Sequence, residues 1–221
     1  MSLTYGLALM VLSVLLAGFT WRFGTIALYI GLATGFVFVG PVLAVGLYSI
    51  SRQLGRGRKP ALGYCVREGW GHIRELLVLG LVLLVVLLVW ARAAATMYVF
   101  FPMEGDPDVL KLLPFLGVGS MVGAVFASVV FAASAFSLPM IMDRKVDAVT
   151  AVVTSANAVL RNKKPMLVWA GMIGLVVVLG FATAFVGFVV MLPLIGHATW
   201  HAYNETIDAS AWDRNEPVEG V

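Results

Sequence analysis

Long apolar segments separated by short charged ones run through the whole chain, and this feature constrains the fold most. A helix that crosses a bilayer core of about 30 Å needs roughly 20 apolar residues. Five segments meet that requirement: Leu3–Thr20, Phe23–Ile50, Leu76–Phe101, Leu112–Met142 and Met166–Tyr203. The last is too long for one helix, and its flexible stretch Gly180–Gly187 predicts a turn. The pattern therefore predicts about six transmembrane helices.

Composition supports this fold class. The chain has 221 residues, of which 61% are hydrophobic and 12% charged, so a soluble core could not bury its apolar surface. We predict an all-α, polytopic transmembrane helical bundle that forms a single domain over residues 1–203. Its membrane helices are expected near residues 3–20, 23–50, 76–101, 112–142, 166–184 and 186–203. Residues 204–221 are acidic overall, which predicts a disordered cytoplasmic tail.

The charges of the loops predict the orientation, because basic residues are retained on the cytoplasmic side of a bacterial inner membrane. The segments Arg52–Arg74 and Arg144–Lys164 are rich in Arg and Lys, whereas the loop Glu104–Lys111 carries three acidic residues. Alternation of the helices then places both termini in the cytoplasm. We expect a multi-pass protein of the bacterial inner membrane.

Both basic segments also carry helical patterns that are too polar to cross the membrane. Two cytoplasmic amphipathic helices are predicted to lie at the interface, near residues 61–75 and 146–161. The apolar stripe of the first is Leu62, Val66, Trp70 and Ile73, and that of the second is Val149, Val152, Val153, Ala156 and Leu160. The cations expected to contact lipid headgroups are Arg56, Arg58, Lys59, Arg144, Lys145, Lys163 and Lys164.

His197 and His201 are the candidate metal ligands. They are four residues apart and so share one helical face, from which both could bind a metal ion. The alternative is that they belong to an aromatic belt at the headgroup level with Trp200 and Tyr203, and we favour that interpretation. No cofactor is predicted from the pattern.

Arg92 is the one charge well inside an apolar segment, where ionisable residues are costly. It is expected to reach the outer headgroups, and the alternative is a buried pair with Glu104. The membrane segments contain no Asp or Glu that could couple transport to protons or cations. Cys65 is a lone cysteine on an apolar face and is expected to pack inertly.

Several ordered motifs resemble a known family. These are Gly40-Pro41, the segment Ser137-Leu138-Pro139-Met140 leading to Asp147-Ala148-Val149-Thr150-Ala151, and the ending Pro193 to Tyr203. Together they look like domain of unknown function 2189, a family of uncharacterised bacterial integral membrane proteins. The resemblance implies an inner-membrane protein, and some members carry a label as putative cytochrome c oxidase subunits. Members usually have a cytoplasmic stretch before the first helix, whereas Met1 here is almost inside it.

The function favoured by these patterns is a non-enzymatic accessory, scaffold or assembly factor. Its partners would be membrane lipids and other membrane proteins, a respiratory complex among them, and not nucleic acid, because the basic loops are short and lie against headgroups. One alternative is a small permease or channel with a polar cavity beneath Pro41, Pro139 and Pro193. Another is a metal or haem accessory subunit of a respiratory oxidase that uses His197 and His201.

Overall fold

The computed structural model describes residues 1–23, 44–100 and 109–215. Within these ranges the regular structure is helical, apart from one isolated antiparallel bridge between Arg144 and Arg214. The described helices are α1 (Ser2–Phe23), α2 (Val45–Gly55), α3 (Leu62–Gly71), α4 (Ile73–Phe100), α5 (Val109–Ser134), α6 (Ser137–Asp143), α7 (Ala148–Arg161), α8 (Lys163–Ala182) and α9 (Phe188–Thr206).

Four stretches of the described chain are long and apolar enough to cross a membrane. They are Ser2–Phe19 in α1, Ile73–Met97 in α4, Leu113–Asp143 over α5 and α6, and Lys163–Ala182 in α8. Helix α9 contains more polar side chains and does not belong to this set. The predicted helix at 23–50 lies mostly outside the described residues, and α2 forms its last part.

The predicted helix at 112–142 is two helices, because the chain turns at Ala135 and Phe136 between α5 and α6. Pro139 lies in the first turn of α6, where its missing N–H costs little. Ser155 of α7 repairs the broken hydrogen-bond ladder: its hydroxyl accepts from Phe136 N at 3.0 Å and donates to Ala132 O at 2.8 Å. Helix α7 is therefore fixed against the break.

The turn between α8 and α9 occupies residues 183–187, within the flexible stretch where the sequence places a break. Ala184 and Phe185 adopt positive φ angles of 49° and 69°, which reverse the chain direction. The hydroxyl of Thr183 accepts a hydrogen bond from Gly187 N at 2.9 Å. Gly180 lies directly against the Phe188 ring, where a larger residue would collide with it.

Helices α1, α2 and α9 approach one another closely at three glycines. Gly6 of α1 lies against the Val189 carbonyl of α9, and Gly46 of α2 lies against the Tyr5 ring of α1. Gly196 of α9 meets Leu47 of α2. Helices in lipid gain little from the hydrophobic effect, so close approach at small residues supplies the dispersion energy that holds them together.

One end of the bundle is polar and well buried. We name as the polar end the set formed by α2, α3, α6, the last two turns of α9 and residues 207–215. Residues 207–215 of this set are held by hydrogen bonds, whereas their composition predicts a disordered tail. Backbone hydrogen bonds from Lys145 N to Asp213 O and from Asn215 N to Asp143 O, both 2.9 Å long, join it to the end of α6.

Replacing Gly6 by Ala tests the close approach of α1 and α9. The new Cβ would collide with the Val189 carbonyl oxygen, and overpacking of this kind costs about 1–3 kcal/mol. We expect a lower midpoint of thermal unfolding in detergent for Gly6→Ala. Gly18→Ala in the same helix is the matched control, because its Cβ would meet open space and its helix propensity would rise. Equal midpoints for the two variants would contradict the observed packing.

Candidate functional site

A buried ion pair lies at the centre of the polar end. Arg52 of α2 donates from Nη1 to Glu68 Oε1 of α3 at 2.5 Å, and the two side chains are only 3% and 1% exposed. Nη1 also donates to the Met142 carbonyl oxygen of α6 at 2.5 Å. Ser49 donates to the other Glu68 oxygen, Oε2. The pair therefore joins α2, α3 and α6 in a region from which water is largely excluded.

Gln53 makes a second polar link between α2 and α3. Its amide nitrogen lies 3.3 Å from both the Ser49 hydroxyl and the Cys65 sulfur, and its amide oxygen accepts from Ala61 N at 3.0 Å. The Cys65 thiol donates to the Ala61 carbonyl oxygen. Cys65 is buried, and besides these polar contacts it packs in an apolar cluster with Leu47 and Ile50.

Asn215 fastens the end of the described chain to α6. Its side-chain nitrogen lies within hydrogen-bond distance of the carbonyl oxygens of Ile141, Met142 and Arg144, at 2.9, 3.3 and 3.0 Å. Its own carbonyl oxygen accepts from Arg52 Nη2 at 2.7 Å. The last carbonyls of a helix have no partner within the helix. Asn215 thus caps α6 and joins it to the buried ion pair.

Asp143 and Arg144 form a second ion pair beside this cap. Arg144 donates from Nε to Asp143 Oδ2 at 2.8 Å and from Nη1 to the Trp212 carbonyl oxygen at 2.9 Å. The Tyr203 hydroxyl donates to the same Asp143 oxygen at 3.3 Å. Both residues therefore hold the segment after α9 in place, and the headgroup contact expected of Arg144 stays a prediction.

His197 joins three helices through its ring. The Ser51 hydroxyl of α2 lies 2.5 Å from Nδ1, and the Ser2 hydroxyl of α1 lies 2.8 Å from Nε2. A metal ion could bind His197 only by displacing one of these serines, and His201 is exposed. Among the residues that the structure describes, no group of three or more His, Cys, Asp or Glu could hold a metal ion. The two-histidine metal site stays a prediction.

Helices α3 and α7 bury small or polar side chains, together with Tyr64, and expose several large apolar ones. In α3, Glu68 is buried while Val66 and Trp70 are 61% and 69% exposed. In α7, Ser155 is buried while Val153 is 62% exposed. Leu62 and Ile73 near α3, and Val149 and Leu160 on α7, are also exposed. Val152 and Ala156 of the α7 stripe are half-buried, and Val152 packs against the core. This distribution is the reverse of that in a water-soluble protein.

The apolar helices and the match to a known family together settle the class of the protein. A family model described as a predicted integral membrane protein, DUF2189, matches residues 28–143, which is more than half of the chain. The chain belongs to the DUF2189 family. No curated protein and no solved structure shows a significant match to it. Arg52, Glu68 and Met142 lie inside the matched part, and Asn215 lies outside it.

The predicted headgroup cations of this DUF2189 protein occupy two kinds of position. Arg58, Lys59, Lys145, Lys163 and Lys164 are exposed. Arg56 is half-buried, and burial followed by repulsion from Arg52 lowers its pKa. Arg144 is engaged by Asp143 and Trp212. Arg92 is exposed on α4, and Glu104, its alternative partner, lies outside the described residues.

Asp147 is the N-cap of α7. Its carboxylate accepts from Thr150 N at 2.9 Å and from the Thr150 hydroxyl at 2.7 Å, which caps the first turn. These hydrogen bonds stabilise the charged form and lower the pKa of Asp147. The cap fixes the first residue of α7. The position of that residue determines which face of α7 contacts the turn between α5 and α6.

Sequence reasoning missed the central residues of this site. Arg52 was one of several loop cations, Glu68 was not singled out, and Asn215 fell in the predicted tail. One signal was present: Glu68 is an acid between outward apolar residues of α3, on the face opposite Val66 and Trp70. A charge on the protein-facing side of an interfacial helix requires a partner of opposite sign.

Removing one member of the buried pair should destabilise the protein more than removing both. Glu68→Leu leaves the Arg52 guanidinium buried without its counter-charge, a loss worth about 3–5 kcal/mol. The double variant Arg52→Met with Glu68→Leu buries no unpaired charge, so we expect it to unfold at a higher temperature than either single variant. Thermal unfolding in detergent gives this comparison.

The matched control is Arg58→Met, which removes an exposed cation three residues after α2 and should change the midpoint little. Additive losses in the double variant would contradict a direct coupling between Arg52 and Glu68.

Proposed function

We propose that this protein is a non-enzymatic accessory or scaffold protein of a bacterial inner membrane, which binds anionic lipid at its cytoplasmic surface and there contacts other membrane proteins. One observation carries the proposal: the stripes of α3 and α7 expose large apolar side chains beside exposed cations, while the same helices bury polar groups inward. A helix with this distribution rests at the boundary between headgroups and acyl chains.

The polar groups of the site support a structural role over catalysis. The Glu68 carboxylate is engaged by Arg52 and Ser49, and the Asp143 carboxylate by Arg144 and Tyr203. A general acid or base must be able to reach a substrate. These carboxylates are instead bonded to their own protein and lie among buried side chains.

The positions of the two ends of the described chain support the proposed topology. Ser2 at the start of α1 contacts His197, and the segment after α9 packs on α6, so both belong to the same end of the bundle. An even number of membrane crossings returns a chain to the side where it started. We propose an even number of crossings, six in all, with the polar end and the basic residues around α3 and α7 on the cytoplasmic side.

The two alternative functions gain no support from a specific contact. Pro139 and Pro193 are both buried, and around Pro139 the side chains of Phe136, Leu138 and Met140 belong to the apolar core. Pro41, the third proline of the proposed permease, lies outside the described residues. The oxidase-subunit hypothesis depends on His197, whose two ring nitrogens face serines.

Fluorescence of Trp70 tests whether α3 rests in the interface. In nanodiscs made with lipids brominated near the glycerol end of the acyl chain, we expect the emission of Trp70 to be quenched, because its exposed indole would lie at that depth. The difference between wild type and Trp70→Phe isolates this emission. Trp212→Phe is the control, since Trp212 lies in the segment bonded to α6. Quenching of Trp70 by acrylamide in water, with none by brominated lipid, would refute the placement.

Removing the exposed cations tests the preference for anionic lipid. Each basic residue at an anionic surface contributes about 1 kcal/mol of attraction. Replacing Arg58, Lys59, Lys163 and Lys164 together by Gln should therefore reduce the enrichment of anionic over zwitterionic lipid more than about tenfold. Native mass spectrometry of protein released from mixed nanodiscs measures that ratio. Arg92→Gln, an exposed cation on α4 away from α3 and α7, is the control, and equal enrichment in all three proteins would contradict the proposal.

A further inference from the structure

An open cleft lies between the end of α6 and the segment that follows α9. Its volume is about 380 Å³. Two arginines, Arg144 and Arg214, and two carboxylates, Glu205 and Asp208, line it together with hydrogen-bonding side chains such as that of Ser210. Arg144 and Tyr203 contribute to the ion pair beside α6 and also line this cleft, and the lining contains both signs of charge.

The two arginines face the cleft because of the backbone pairing that joins their segments. Arg144 and Arg214 form an isolated antiparallel bridge, and residues paired in this way project their side chains to the same side. Like charges placed opposite one another are unfavourable unless an anion separates them. Arg144 is held in position by Asp143 and the Trp212 carbonyl. Arg214 is exposed and makes no hydrogen bond or ion pair with any residue that the structure describes.

The carboxylates supply the complementary charge. Asp208 accepts a hydrogen bond from Ser210 N at 3.0 Å, and its bonds to Ser210 lower the pKa of Asp208, so it is ionised at neutral pH. Glu205 lies one turn earlier, near the end of α9, and is exposed. A simple anion would be attracted by the arginines and repelled by these two groups. A molecule with both charges would satisfy the whole lining.

We propose that the cleft binds a zwitterion composed of a phosphate ester and a primary ammonium, the chemistry of a phosphoethanolamine group. Arg214 and Arg144 contact the phosphate: the Arg214 guanidinium can match two phosphate oxygens at once, and Arg144 contributes Nη2, which its bonds to Asp143 and Trp212 leave available. Glu205 and Asp208 accept hydrogen bonds from the ammonium. The group belongs either to a membrane lipid or to a small soluble molecule. This site is independent of how α3 and α7 rest on the membrane.

Calorimetric titration of the whole protein in phosphatidylcholine nanodiscs tests the site. The trimethylammonium of that lipid has no N–H to donate, so the cleft should be free to bind added glycerophosphoethanolamine. We expect Arg214→Ala to weaken glycerophosphoethanolamine and inorganic phosphate alike, by about tenfold. Glu205→Gln should weaken glycerophosphoethanolamine alone. Lys164→Ala, an exposed cation outside the cleft, should change neither.

Both variants of the cleft replace exposed side chains, so the fold is expected to persist, and circular dichroism verifies that it does. Three results would overturn the proposal: no saturable binding of glycerophosphoethanolamine to the wild type, unchanged binding in Arg214→Ala, or equal affinity of Glu205→Gln and wild type for the zwitterion.

Repeating the titration in phosphatidylethanolamine nanodiscs identifies the source of the ligand. Loss of the binding of added glycerophosphoethanolamine, together with less co-purified phosphatidylethanolamine in Arg214→Ala, would support the proposal with a lipid headgroup in the cleft. Unchanged binding would support it with a soluble ligand.

Discussion

Burial of the Arg52 and Glu68 charges is the constraint on which the rest of the polar end depends. Removing an ion from water costs several kcal/mol, and the attraction of its partner compensates only when further hydrogen bonds satisfy the remaining groups. Such bonds come from Ser49, from the Met142 carbonyl and from the Asn215 carbonyl, while Arg52 Nε is buried without a hydrogen-bond partner. The charges are thus stable only when α2, α3, α6 and the segment after α9 are all in place. Assembly of this end is therefore cooperative.

The membrane helices could be predicted from the sequence because bilayer thickness sets the length of an apolar segment. The turn before α9 was also visible, since glycine marks breaks locally, whereas residues 112–142 were expected to form one helix. The exact end of α5 was not visible, because the bond from Phe136 to Ser155 joins residues 19 positions apart. Hydrogen-bond partners this far apart in the sequence depend on how the helices pack against one another. The apolar stripes of α3 and α7 were found, but not the buried faces behind them.

The segment after α9 shows why composition failed at one position. Its acidic character predicted disorder, which is sound where a chain has nothing to bury. The side-chain nitrogen of Asn215, however, lies within hydrogen-bond distance of three carbonyl oxygens at the end of α6, and Lys145 N donates to the Asp213 carbonyl oxygen. Unpartnered helix carbonyls in a buried setting are costly, so α6 provides an energetic reason for the segment to order. Because the unpartnered carbonyls are in α6, the composition of the segment alone does not predict that it is ordered.

The polar contacts of His197 explain how α1, α2 and α9 reach one register among many similar apolar surfaces. Glycine contacts allow the helices to approach, yet a displacement along the axis would often find another small residue. The bonds from His197 to Ser2 and Ser51 are satisfied in only one arrangement. A displacement by one residue would leave the two serine hydroxyls and the ring nitrogens of His197 without hydrogen-bond partners between the helices. Burying polar groups without partners costs free energy. Dispersion thus brings the helices together, and the histidine with its two serines selects the register.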